Sequence, residues 1–421
     1  MNYTEALEYI HGVNWTFCKP GLDRIRELCE KLGNPQNKLK FVHVAGTNGK
    51  GSFCSMIESI LRKAGYKTGL YTSPYIKEFN ERMRVGGKNI ENDVLADITT
   101  RVRPIADSMT DKPTEFELIT AVAFQYFYES GCDVVVLEAG MGGRLDSTNI
   151  IREPLLSVIT GIALDHTDYL GDTVEKIAAE KAGIIKDQAP ILYGGDDDAA
   201  REVIRNTANE RGSKFYDIDY DDIKKLKSDL AGSIFDYKTH SGVKIKLLGL
   251  YQPKNAAEVI EAVEILRSRG LNISESALLE GLANAEWIAR FEILSKNPLI
   301  IFDGAHNPQG ISSATRSIKH YFKDEKIYVL SGVLRDKDYD FIAGELATVA
   351  ERAFTMTPQS PRALKAEDYA KVLDSYGVAS SAYDTIEGAM NAAISAAKAN
   401  GKPLVCLGSL YTYADVIKYV K

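Results

Sequence analysis

Short apolar runs alternate along this chain with segments whose apolar positions recur every three to four residues. The runs at 41–45, 67–71, 133–137, 155–160 and 191–193 read as strands, and the unbroken Val134-Val135-Val136-Leu137 predicts a strand buried on both faces. Phe53, Met56, Ile57, Ile60, Leu61 and Ala64 fall at i, i+3, i+4, i+7, i+8 and i+11, a helical stripe that Gly65 can close. Strands alternating with amphipathic helices are the signature of parallel α/β sheets. The pattern changes at 234–237 and 243–247, which flank His240-Ser241-Gly242 and predict a hairpin; Pro253 then opens a helix to about Arg267. Further strands are expected at 299–302, 327–330, 354–356 and 404–407, after a boundary at 294–298.

The first strand runs into Gly46-Thr47-Asn48-Gly49-Lys50-Gly51-Ser52 and then into the helix. That order builds a phosphate cradle. Glycines let backbone N–H groups turn toward an anion, the helix N-terminus adds its dipole, and Lys50 adds a point charge. Ser52 is placed to offer a hydroxyl to Mg²⁺. The spacing is not that of the standard P-loop, because only Thr47 and Asn48 separate Gly46 from Gly49 and Gly51 stands between Lys50 and Ser52.

Composition narrows the field. The chain has 421 residues, 45% hydrophobic and 26% charged, and a formal net charge of −7. Length alone suggests roughly two or three domains. An acidic balance without a long basic run speaks against nucleic acid or an anionic membrane as partner. No apolar stretch is long enough to span a bilayer, and the N-terminus lacks a signal peptide's apolar core. Five scattered cysteines without a C-x-x-C pair fit a reducing cytoplasm. Cys54, beside the phosphate loop, reads as a small helix residue or as a reactive thiol.

In open parallel sheets ligands bind beyond the carboxyl ends of the strands. Thr72, Ser73 and Pro74 follow one candidate strand, Glu138 another, and Asp165 and His166 a third. A hydroxyl, a carboxylate and an imidazole beside a phosphate loop are candidate Mg²⁺ ligands, although magnesium prefers oxygen. Asp303 and His306 follow a later strand; the competing reading of Asp303 is a cap on the next helix. These residues point to an ATP- and Mg²⁺-dependent enzyme with its site between two α/β domains, and leave ligase, kinase and GTPase-like switch open.

With those motifs in place, the chain resembles the folylpolyglutamate synthase and dihydrofolate synthase family of the Mur ligase superfamily. The likeness runs almost end to end, through 45–52, 72–74, 138–149, 164–166, 180–184, 303–308, 336–338, 360–363 and 408–411. The shortened phosphate loop is the form this family uses. The resemblance implies an ATP-dependent ligase that phosphorylates a folate or dihydropteroate carboxylate and joins L-glutamate to the acyl phosphate. Another Mur-type amide ligase, or a carboxylate kinase, is the alternative.

Carried onto this chain, Asn48, Gly49, Lys50, Gly51 and Ser52 hold the ATP phosphates, and Asn255, Arg290 and Asp303 make further nucleotide contacts. Two Mg²⁺ sites are implied, with Ser73, Glu138 and Ser52 at one and His166 at the other. Lys181 corresponds to a lysine that the family carboxylates; without that context a solvated helix lysine is the preferred reading. His306 faces the reacting phosphate or the incoming glutamate, and Ser409 is a candidate for the glutamate site. The pterin side is expected at Phe17, Cys18, Lys19 and Pro20, at Thr114, Glu115, Phe116 and Glu117, and at Leu145, Asp146 and Ser147. Tyr251-Gln252 stands where a His-Gln pair is usual, and Trp287-Ile288-Ala289-Arg290 where Trp-Pro-Gly-Arg is usual.

The expected fold is therefore α/β with two domains. A P-loop-type, mostly parallel ATPase domain covers 1–293, a linker 294–298, and a smaller Rossmann-like ligase domain 299–421, with the glutamate site at their interface. A cytoplasmic monomer is expected.

Overall fold

The structure, a computed structural model, describes residues 1–13 and 21–420. Phe17, Cys18, Lys19 and Pro20 lie outside the described residues. The chain divides into two compact units. One holds 1–224, 236–243 and 254–285; the other holds 225–235, 244–253 and 286–421.

The first unit is built on eight strands: β1 (Phe41–Ala45), β2 (Thr68–Tyr71), β3 (Met83–Val85), β4 (Lys88–Asn89), β5 (Val134–Glu138), β6 (Leu156–Ile159), β7 (Ile191–Tyr193) and β8 (Phe215–Asp217). Their order is β4-β3-β2-β5-β1-β6-β7-β8. All neighbouring pairs from β2 to β8 are parallel, and β3 and β4 add an antiparallel edge. Both faces of β1 and β5 are buried, as the run Val134–Leu137 requires of β5; in β1 the buried residues include His43. The chain enters at central β1, fills β2 and β5 on one side, then crosses to β6 on the other. The carboxyl ends of β1, β5 and β6 thus surround a topological switch point, where the crevice of an open sheet forms.

Helix Lys50–Lys63 buries Phe53, Met56, Ile57, Ile60 and Leu61 completely. At roughly 1.5–3 kcal/mol for each such side chain, this stripe fixes the helix on the sheet and so fixes the loop that precedes it.

The second unit carries six strands: β12 (Glu292–Lys296), β13 (Leu299–Asp303), β14 (Ile327–Ser331), β15 (Ala350–Thr355), β16 (Ala379–Ala382) and β17 (Leu404–Leu407). They are ordered β12-β13-β17-β14-β15-β16, all parallel except the antiparallel β12–β13 pair. Ile301, Val329 and Val405 lie at its apolar centre. Residues 294–298, read from the sequence as a linker, lie in the β12–β13 hairpin.

Between β8 and β12 in sequence, β9 (Ile223–Asp229), β10 (Gly232–Tyr237) and β11 (His240–Ile245) form a three-stranded sheet, within which the division into units falls. The turn falls at Lys238-Thr239, not at His240-Ser241-Gly242, which belongs to β11. Lys238 takes a left-handed φ of 48°, and the Gly242 N–H is held by Asp236 Oδ1 at 2.8 Å. No helix among the described residues is long and apolar enough to cross a membrane.

Candidate functional site

The phosphate loop owes its shape to two glycines. Gly46 has φ +150° and Gly49, the N-cap of helix Lys50–Lys63, has φ +89°. Both lie where side chains are disfavoured. A Cβ on Gly46 would stand 1.8 Å from Thr160 Oγ1, and one on Gly49 3.1 Å from Asn255 Oδ1. Asn255, on helix Gln252–Ser268, is therefore held directly against the loop.

The end of β6 closes the loop from the other side. Thr160 Oγ1 donates to the Asn48 carbonyl at 2.7 Å, and the Thr47 N–H donates to the Gly161 carbonyl at 2.8 Å. Thr47 Oγ1 donates to the Ala163 carbonyl and accepts from its N–H, both at 3.1 Å. Thr160 and Thr47 were not singled out from the sequence. A polar residue directly after an apolar strand was the available signal at Thr160.

Two lysines meet at one oxygen of this loop. Lys50 Nζ donates to the Gly46 carbonyl at 3.1 Å and to that of Thr47 at 3.3 Å, and Lys181 Nζ donates to Gly46 at 2.9 Å. Lys181 lies in helix Val174–Ala182 and is only 3% exposed, so it is not a solvated surface lysine. Burial, with the Lys50 charge acting the same way, pushes its ammonium down to about 7. A large share of this amine is thus unprotonated at neutral pH.

Glu138 ends β5, is buried, and accepts from the Ser73 N–H at 3.2 Å through Oε2. Ser52 is buried in the first turn of its helix. His166 has a left-handed φ of 51° and is the N-cap of the short helix Thr167–Leu170; its N–H is held by Asp165 Oδ1 at 2.9 Å. Among the described residues no three His, Cys, Asp or Glu side chains gather as a metal cluster. Burial, then the Glu138 charge, pushes the Cys54 thiol well up, which fits the small-residue reading rather than a reactive thiol.

The residues expected on the pterin side are mostly engaged within the fold. Thr114 caps helix Glu115–Glu129, and Glu117 completes the capping box by accepting from the Thr114 N–H at 2.7 Å. The same buried carboxylate takes a bidentate pair from Arg24, Nε and Nη2 each at 3.0 Å. Glu115 Oε1 lies 3.0 Å from His11 Nδ1. Phe116 packs on Gly140 and faces Tyr71 at 6.2 Å between ring centroids.

Asp146, buried, accepts from the Met141 N–H at 2.9 Å and from the Thr148 N–H and hydroxyl at 3.0 and 2.5 Å. Its carboxyl is raised from its ordinary value by burial. Because the Thr148 hydroxyl donates to Asp146, the 2.8 Å contact with His43 Nε2 has the imidazole as donor. Burial pushes that imidazole down to about 3. Ser147 is buried, whereas Leu145 and its neighbour Met141 are exposed.

The second unit gathers its own constellation. Asp303, at the end of β13, accepts from Tyr251 Oη and the Phe291 N–H, each at 2.9 Å, and from the Ala305 N–H at 2.8 Å. It does not cap the following helix; Asn307 does, accepting from the Gly310 N–H at 2.9 Å. Burial raises the Asp303 carboxyl, and the nearby Arg290 guanidinium opposes the shift. His306 Nδ1 donates to the Gly304 carbonyl at 2.9 Å. Ser409, buried after β17, accepts from the Tyr411 N–H at 3.3 Å. Tyr251, standing where histidine is usual, is thus a partner of Asp303.

The chain matches known families over most of its length. Residues 44–263 match the Mur ligase middle domain, and residues 289–410 match the Mur ligase glutamate ligase domain. The chain is 37% identical over 430 residues to the dihydrofolate synthase/folylpolyglutamate synthase of Bacillus subtilis, covering 100% of this chain and 99% of that one. It is similar to the folylpolyglutamate synthase of Mycobacterium tuberculosis complexed with ADP and AMPPCP, with TM-score 0.90, 27% identity, and 100% and 99% of the two chains covered. A solved FPGS–AMPPCP–folate complex gives TM-score 0.88 at 34% identity, covering 99% and 98%.

Proposed function

This chain belongs to the folylpolyglutamate synthase and dihydrofolate synthase family of Mur ligases, and we propose that it joins L-glutamate to the carboxylate of a reduced folate and of dihydropteroate, using ATP. It is an ATP-dependent carboxylate–amine ligase. The observation that carries the reading is the convergence of Lys50 and buried Lys181 on the Gly46 carbonyl of a glycine-shaped phosphate loop.

A carboxylate is a poor electrophile and repels a second anion. A carboxylate oxygen attacks the γ-phosphorus, the bond to the ADP oxygen breaks, and an acyl phosphate forms. The amine of glutamate then attacks the acyl carbon, phosphate leaves, and the amine loses a proton as the amide forms. Residues 48–52 hold the phosphates, and Lys50 offsets the charge that gathers on them. Asn255, Arg290 and Asp303 are the further nucleotide contacts. His306 serves the transferring phosphate or the amine, and Ser409 the glutamate.

The donors present suit magnesium: the Ser52 hydroxyl, the Glu138 carboxylate and Ser73 offer oxygen to one ion, and His166 stands for a second. Bound Mg²⁺ would supply charge neutralisation at the phosphates. Lys181 suits carboxylation, since burial leaves its amine in part neutral. The resemblance supports pterin contacts at 17–20, 114–117 and 145–147, and we propose a cytoplasmic monomer.

The test is ADP release with dihydropteroate and with tetrahydrofolate monoglutamate, each with and without L-glutamate. Glutamate-dependent turnover with both substrates is expected. Turnover that needs no amine and leaves a stable phosphorylated acid would instead make the chain a kinase.

A further inference from the structure

Helix Gln252–Ser268 carries Glu258 one turn beyond Asn255, and both side chains are buried. The Glu258 carboxyl sits against the loop that follows β7. A Cβ on Gly194 would lie 2.4 Å from Glu258 Cδ, so the carboxyl and the loop backbone meet only because residue 194 has no side chain. The Tyr220 hydroxyl is 2.8 Å from Glu258 Oε1 and is also in hydrogen-bond contact with the Gly194 carbonyl oxygen. The second carboxyl oxygen, Oε2, is buried with no hydrogen-bond partner among the described residues.

The protons in this cluster can be counted. A phenol has one hydrogen to donate, and a carbonyl or carboxylate oxygen has none. With Glu258 ionised, one of the two contacts of Tyr220 would press lone pair on lone pair. Oε2 would then be a buried carboxylate oxygen without a donor. Both situations are costly. The nearest cation does not help, because Lys254 Nζ is drawn to Asp196 Oδ2 at 3.1 Å.

A proton on Glu258 Oε1 completes the row: Glu258 donates to Tyr220, and Tyr220 donates to Gly194. Burial pushes this carboxyl up to about 8, with Asp196 acting the same way and Tyr220 and Lys254 opposing. Tyr237 also faces Tyr220, and Glu261 beside it is paired with Lys238 at 2.6 Å.

We propose that Glu258 is a positioning residue: as a neutral acid it clamps the loop after β7 to the helix that carries Asn255, and its ionisation weakens nucleotide binding. The proposal rests on the reading, given above, that Asn255 contacts the nucleotide. Asn255 itself adjoins Gly49 of the phosphate loop. No group of the reacting machinery is invoked; Glu258 acts through the helix turn.

The experiment measures the Kd of Mg·ADP by calorimetry from pH 6 to pH 9 for the wild type, Glu258→Gln and Asn255→Ala. One ionisation near 8 raises the wild-type Kd about tenfold between pH 7 and pH 9. The amide of Glu258→Gln donates to Tyr220 as the acid does, so its Kd stays near the wild-type value at pH 7 across the range. A flat wild-type profile, or the same rise in both proteins, overturns the proposal. Asn255→Ala separates the two readings. If it binds Mg·ADP like the wild type, the nucleotide role of Asn255 is lost; if it binds weakly while the other two profiles coincide, only the role of Glu258 is lost.

Unfolding midpoints give a second readout that needs no ligand. The folded state keeps the Glu258 proton between 4.5, its ordinary value, and about 8, while the unfolded chain releases it. The wild type should therefore lose stability as pH rises through that window, and Glu258→Gln should lack that component. Equal pH slopes in the two proteins would show that Glu258 is not a buried acid.

Discussion

Lys50 and Lys181 share a single acceptor, the Gly46 carbonyl oxygen, at 3.1 and 2.9 Å. Burial above all, and then the second cation drawn to the same neutral dipole, explain why Lys181 gives up its proton so readily. An incoming phosphate chain, on the function proposed above, would supply the anionic charge this pair lacks.

Replacing Lys50 by alanine should lower kcat/KM by about 10²–10³, the effect of deleting one charge-stabilising donor. ADP release assays would measure it. The fold should persist, because among the described residues the hydrogen bonds of this ammonium go to loop carbonyls. Near-normal turnover would remove Lys50 from its role.

Lys181 makes two predictions of opposite kind. Its neutral amine should add CO₂: nitrogen attacks carbon, an N–C bond forms, and the amine proton passes to solvent. Labelled bicarbonate should then give a carbamate carbonyl signal in the wild type and none in Lys181→Met. In CO₂-free buffer the folded amine titrates near 7 against an ordinary 10.5, so the unfolded chain binds more protons in that window. Stability should therefore rise with pH from about 7 to 10.5 and be flatter in Lys181→Met, as unfolding midpoints would reveal.

Gly46→Ala should abolish nucleotide binding. The new methyl would meet Thr160 Oγ1 at 1.8 Å and would also carry a φ of +150°. Adding Thr160→Ala removes the 1.8 Å collision and leaves a 3.0 Å contact with the Cβ of residue 160 together with the backbone strain, roughly 1–3 kcal/mol. Calorimetry on both variants should find no binding in the first and partial recovery in the second.

Arg24→Met should destabilise the protein by about 3–5 kcal/mol, because it strands the Glu117 carboxylate in the interior. Arg24→Met with Glu117→Leu should recover part of that loss. Urea midpoints would measure both.

Much of this was legible in the sequence. The phosphate loop, the doubly buried β5 and the helix stripe from Phe53 to Ala64 each declare themselves through local pattern. Thr114 and Glu117 were read as substrate contacts, although their spacing is also that of a capping box, and the partner Arg24 lies 93 residues away. The environment of Lys181 could not be read locally: its burial depends on how helix Val174–Ala182 packs beside the phosphate loop. Edge strand β16, Ala379-Ser380-Ser381-Ala382, has no β-branched or aromatic residue and left no strand signal. The hairpin turn was displaced because Lys238, left-handed at φ 48°, makes it with Thr239, while Gly242, left-handed at φ 66°, lies inside β11.

The hydroxyl of Thr160 has a consequence for anyone who would borrow this nucleotide grip. The loop follows β1, but the group that fastens Asn48 and fills the space beside Gly46 comes from the end of β6, more than a hundred residues onward. A peptide cut from 41–63 would lose its shape. Transplanting the motif into another scaffold demands both strand ends, and a side chain at residue 46 demands a change at residue 160.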